Sequence, residues 1–122
     1  MKVEKIGYVT IRVKDLEGAG KFFADLFDIE FSGPGENPEL DIRNLIGPFM
    51  ELISPLTPDG PVARTLERRG EGLALISLRV ANMEEAVAKM KSKGVRQLWH
   101  HEKRALFHPN DLYGVMIELV ES

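Results

Sequence analysis

The chain has 122 residues, no cysteine, one tryptophan, 43% hydrophobic and 29% charged residues, and a formal charge of −3. These values fit one globular domain and exclude disulfides, thiolate chemistry, iron–sulfur clusters and cysteine-bound zinc. The mild acidity argues against nucleic-acid binding, and no uncharged apolar run nears the ~18 residues of a membrane span.

The elements are taken in chain order. Residues 6–13 are rich in β-branched side chains and predict a strand. Asp15 is a good N-cap, and Leu16, Ala19, Phe22, Phe23 and Leu26 form an apolar helical stripe ending near Phe27. Gly18 and Gly20 weaken that helix by roughly 1 kcal/mol each. Strands are expected near 30–32, 39–46 and 49–54. Residues 31–38 read as loop, because Gly33, Pro34, Gly35, Asn37 and Pro38 break regular structure. A short helix is expected within 57–72, capped by Asp59, with Pro61 in its first turn and Val62 and Leu66 facing inward. Residues 73–80 predict a strand. Asn82 with Glu85 gives a capping-box-like start to a helix that Gly94 stops. Strands follow at 95–100, 103–108 and 115–120.

The sequence repeats itself at a constant offset of 67 residues. Arg12/Arg79, Val13/Val80, Glu17/Glu84 and Ala19/Ala86 are identical, and the same offset maps Met50-Glu51-Leu52-Ile53 onto Ile117-Glu118-Leu119-Val120. The expected fold class is therefore α+β. Two tandem βαβββ modules (1–56 and 73–122, joined by a linker helix at 57–72) make one domain over 1–122, with a curved mixed sheet around a shared cavity.

Glu51 and Glu118 stand out chemically. Each lies mid-strand between apolar neighbours, at equivalent repeat positions. A carboxylate on an otherwise apolar face is costly unless it is paired, protonated or metal-bound, so two acids facing a common cavity is the functional reading. A glutamate on a solvated strand face is the bland one. The three histidines share no repeat position. His100 and His101 fall on opposite faces of one strand, so at most one faces a cavity. His108 precedes Pro109 at a strand end and reads as structural. Lys103, Arg104, Arg64, Arg68 and Arg69 read mostly as solvated charges. There is no HExxH, P-loop, GxGxxG or GxSxG motif.

The paired βαβββ plan with strand-end glutamates resembles the vicinal-oxygen-chelate superfamily, which includes glyoxalases, bleomycin-resistance proteins and extradiol dioxygenases. Segments 61–73 (PVARTLERRGEGL) and 107–122 (FHPNDLYGVMIELVES) are most similar to its methylmalonyl-CoA epimerase branch. The resemblance implies a divalent-metal site whose four positions here are Tyr8, Leu75, Glu51 and Glu118, so both expected histidines are replaced. It places the epimerase's proton-transfer acid at Asn44, which cannot take a proton.

Two readings follow. One is a divergent binding protein that holds a small organic ligand, an acyl-CoA or a small carboxylate, with Tyr8, Asn44, Leu75, His100 and the two acids lining the pocket. It would have no cofactor, or only a weakly bound divalent metal held by Glu51 and Glu118. The other is an isomerase or lyase acting on an acyl-CoA or carbonyl substrate, with Glu51, Glu118 and Tyr8 as catalytic groups. A scaffold role is a third. The remaining expectations are a cytoplasmic location, since Arg12, Lys14 and Asp15 leave no apolar signal core near the start, a homodimer, and no nucleic-acid or membrane partner.

Overall fold

The computed structural model describes residues 1–122. It contains β1 (Val3–Arg12), α1 (Leu16–Phe27), β2 (Ser32–Asn37), β3 (Ile42–Ile46), β4 (Met50–Pro55), α2 (Pro61–Arg69), β5 (Gly72–Val80), α3 (Met83–Ser92), β6 (Gln97–His101), β7 (Arg104–Phe107) and β8 (Ile117–Glu121), with a 3-10 turn at Pro109–Asp111. Each repeat thus yields β-α-β-β-β, and α2 lies between them. No helix is long and apolar enough to cross a membrane.

Local signals explain most boundaries. The Asp15 side chain accepts from Gly18 N at 3.1 Å, and Asn82 Oδ1 accepts from Glu85 N at 2.9 Å, so both long helices begin on a side-chain cap. Helix α3 ends where Gly94 takes φ 77°. Val95 N then bonds Met90 O and Gly94 N bonds Lys91 O, both at 3.0 Å, which satisfies the last carbonyls. That closure consumes Val95, so β6 starts at Gln97 rather than at residue 95.

Three expectations are corrected. The glycine- and proline-rich stretch read as loop contains strand β2, antiparallel to β3 with a register shift between Ser32 and Gly35. A strand with only one neighbour tolerates Pro34, because the missing N–H would face away from the ladder. Helix α2 is capped by Gly60, without a side-chain bond, and not by Asp59. On α1 the buried stripe runs through Leu16, Ala19 and Phe23, whereas Phe22 and Leu26 are exposed.

The chain forms two compact units, Met1–Val9 with Leu75–Ser122, and Thr10–Ala74. In the first the strand order is β1-β5-β8-β7-β6; in the second it is β2-β3-β4 followed by the last residues of β1. Strand β8 is parallel to β5 and antiparallel to β7. In the first unit Val80, Met83, Ala86, Met90, Phe107 and Leu119 make the core between sheet and α3. In the second, Val13, Leu16, Leu45, Met50 and Leu52 do the same beneath α1.

Candidate functional site

Strand alternation sends Leu119 to the helix side and Glu118 to the other face. Glu118 is 1% exposed, and its neighbours meet the cost of burying it. Oε1 accepts from the Tyr8 hydroxyl and from Ser77 Oγ. Oε2 accepts from Arg104 Nε at 3.0 Å and from Nη2 at 2.7 Å. A carboxylate offers about four acceptor positions, and all four are taken. The register explains the convergence: Ser77 stands beside Glu118 across the parallel pair, and Arg104 stands opposite Val120, two residues along the same face.

Tyr8 sits at the centre of this group. Arg104 Nη2 also reaches its oxygen at 3.3 Å. Burial first, then the charge of Glu118, pushes the Tyr8 phenol well above the usual tyrosine range. It is a proton donor, not a phenolate. The Arg104 guanidinium also lies 5.9 Å from the ring centroid of Trp99, within cation–π range.

Glu51 repeats the arrangement in the other unit. It is 4% exposed; Oε1 accepts from Thr10 Oγ1 at 2.8 Å and Oε2 from Asn44 Nδ2 at 3.0 Å. Thr10–Glu51 and Ser77–Glu118 are the same hydroxyl–carboxylate pair, 41 residues apart in both repeats. Asn44 stands opposite Ile53, two residues past Glu51, as Arg104 stands opposite Val120. Asn44 and Arg104 therefore hold matching places, although they lie 60 and not 67 residues apart. The amide and hydroxyl fill two acceptor positions of Glu51, which has no cationic partner among these bonds.

Leu75 is half-buried on β5 and shares the face of Ser77. His100 lies elsewhere. It pairs with Ala105, which pairs with Leu119, so it occupies the helix side of the sheet, opposite the Glu118 face. It is exposed, and its Nε2 lies 3.1 Å from Glu102 O. His101 instead shares the face of Arg104 and stacks against Trp99 at 6.1 Å. His108 has a structural role: Nδ1 accepts from Asn110 N and opens the 3-10 turn. Arg104 was missed by sequence reasoning. Its neighbour Lys103 makes the pair look like a solvated turn, and only the β7–β8 register reveals where its side chain goes.

The sequence model of the glyoxalase/bleomycin resistance protein/dioxygenase superfamily matches residues 8–113. The chain belongs to that superfamily. Within it, the chain is 31% identical to the mouse mitochondrial methylmalonyl-CoA epimerase, over 99% of this chain and 75% of that protein. It is 34% identical to the uncharacterised protein YqjC of Bacillus subtilis, over 98% and 93%. Among solved structures, a methylmalonyl-CoA epimerase in complex with methylmalonyl-CoA and NH4+ superposes with a TM-score of 0.89 at 25% identity, covering 99% of this chain and 96% of that one. The Mycobacterium tuberculosis epimerase gives 0.87 at 26%, covering 98% and 88%.

Leu75 carries no ligand atom, the Tyr8 hydroxyl keeps its proton and donates it to Glu118, and a guanidinium sits on Glu118. No three His, Cys, Asp or Glu side chains gather as a metal-binding group.

Proposed function

We propose that this chain is a divergent, metal-independent binding member of the superfamily whose ligand is an acyl-CoA or a small carboxylate. The observation that carries this reading is the saturation of Glu118 by Tyr8, Ser77 and Arg104. A metal ligand must offer a lone pair, and borderline ions such as cobalt, nickel and zinc favour imidazole, so these residues do not fit a divalent ion. Tyr8, Leu75 and Glu118 are the proposed binding groups of the first unit, and Asn44 and Glu51 those of the second; His100 is left out, because its register places it on the opposite face from Glu118. The ligand class is supported by the structurally similar methylmalonyl-CoA epimerase solved with methylmalonyl-CoA. The test is calorimetry with methylmalonyl-CoA on protein treated with chelator, beside a solvent-deuterium exchange assay. Binding unchanged by chelator, with no deuterium entering the ligand, is expected. Stoichiometric metal in the purified protein, or deuterated ligand, overturns it.

One observation favours the second reading, an isomerase or lyase on an acyl-CoA or carbonyl substrate. Glu51 accepts only two bonds and faces no cation, so it keeps capacity to accept a proton. On this reading Glu51→Gln abolishes deuterium exchange and leaves ligand binding intact. We also propose a homodimer: β2 and β6 end the strand order, and unpaired edges invite a second copy. Sedimentation equilibrium tests it, and a monomer at all concentrations refutes it.

A further inference from the structure

We infer that Arg104 is a resident cation that has taken over, at Glu118, the place a divalent metal fills in the superfamily's chelating members. Two independent observations meet here. The first is contact. Arg104 binds Glu118 Oε2 through two nitrogens and touches the Tyr8 oxygen with one of them. It thus bridges two of the positions at which the resemblance puts metal ligands, Tyr8 and Glu118, as an ion would. The second is the comparison of the repeats. Asn44 occupies the matching place beside Glu51 and brings only an amide. The repeats share the acid and its hydroxyl partner and diverge at the third group, neutral in one and cationic in the other.

The physical consequence is exclusion. A metal ion ligated by a carboxylate oxygen sits about 2.0–2.2 Å from it. With Arg104 Nη2 already 2.7 Å from Oε2, a dication there would face the guanidinium at close range with little water between them. The side chain of Glu118 is 2% exposed, so screening by solvent is weak. Guanidinium cannot discard its charge by losing a proton. Unlike a metal, this cation is also insensitive to chelators. The inference extends the metal-independent reading above by naming the group responsible, and rests on it only in that respect.

The test uses cobalt(II) alone on chelator-treated protein, followed by calorimetry and visible absorption. Four chains are compared: native, Arg104→Gln, the double variant Tyr8→His/Leu75→His, and that double variant with Arg104→Gln added. The native chain and the double variant should take up no cobalt at micromolar concentration. Adding Arg104→Gln to the double variant should tighten binding by at least about tenfold, equivalent to about 1.4 kcal/mol. Equal cobalt affinity with and without Arg104, or stoichiometric binding by the native chain, overturns the inference. If circular dichroism shows that the imidazole variants do not fold, manganese(II) relaxation decides on single variants. Arg104→Gln should then gain affinity over native and Arg104→Lys should not; equal affinities in all three overturn it. No CoA ester enters these titrations, so their failure is distinct from failure of the proposed ligand binding.

Discussion

Tyr8 gives its hydroxyl hydrogen to a carboxylate 110 residues further along the chain, that of Glu118. Burial and that carboxylate together hold the phenol above its ordinary pKa. The linkage sign follows. The unfolded chain ionises Tyr8 near pH ~10, whereas the folded chain does not until higher. The stabilising term is therefore fully present below pH ~10 and lost as pH rises above it, at about 1.4 kcal/mol per pH unit. Absorbance at 295 nm should show a phenol ionising late, together with unfolding. Tyr8→Phe should remove that component and flatten the alkaline limb of the stability curve.

Removing the charge of Glu118 should expose the cost of the arrangement. Glu118→Gln leaves the Arg104 guanidinium beside a neutral amide, and breaking a largely buried pair costs roughly 2–4 kcal/mol. Urea titration at neutral pH checks this. Ser77→Ala removes one neutral partner and should cost only about 1–2 kcal/mol. If Glu118→Gln instead stabilised the chain, the acid would be a burden tolerated for binding.

The single tryptophan gives a direct view of the same group. Trp99 has the Arg104 guanidinium 5.9 Å from its ring centroid. Arg104→Gln should shift the emission maximum of the folded protein. Methylmalonyl-CoA, if it reaches this face, should change the intensity in the native chain and change it less in the variant. A spectrum that responds to neither places Trp99 outside the binding surface.

Acid stability has a separate local source. Arg96 donates to Asp111 Oδ2 through its Nε at 2.8 Å and its backbone N at 3.0 Å. These bonds hold the Asp111 carboxyl down at about 2. Its contribution is present above the ordinary aspartate range and fades as pH falls from ~4 towards 2. Asp111→Asn should make stability less pH-dependent in that window, as read by thermal melts at successive pH values.

Gly20 separates packing from propensity. Helix propensity alone predicts that alanine there stabilises α1 by about 1 kcal/mol. A Cβ on Gly20 would lie 2.6 Å from Leu45 Cδ1, in a core where Leu45 is buried. Overpacking of that kind costs typically 1–3 kcal/mol, so Gly20→Ala should destabilise by about 1 kcal/mol in urea.

The sequence revealed what depends on local chemistry. Asp15, Asn82 and Gly94 marked helix ends because a cap bonds only its own first or last turn. The repeat exposed Glu51 and Glu118 because duplication preserves spacing within each copy. What escaped depended on pairing between distant strands. Strand β2 was hidden because Pro34 and two glycines forbid an inner strand but not an outer one. Arg104 was hidden because the segment before β8 has a different length from its counterpart before β4. The 67-residue offset fails there, and only the ladder aligns Arg104 with Asn44. The faces of His100 and His101 were legible as opposite, but which one joined Glu118 required the register.

The discontinuity of the first unit bears on how the protein is made. Its members are Met1–Val9 and Leu75–Ser122, so its first strand is synthesised long before its partners. During translation β1 must remain undocked on that side, while Thr10 onward already has the neighbours that complete the second unit. Contacts of such long sequence separation form late and slow folding. The closing event is then the arrival of β8, when Glu118 meets a tyrosine that left the ribosome 110 residues earlier. Until that moment Tyr8 lacks its carboxylate partner, and incompletely assembled chains are the ones open to misassembly.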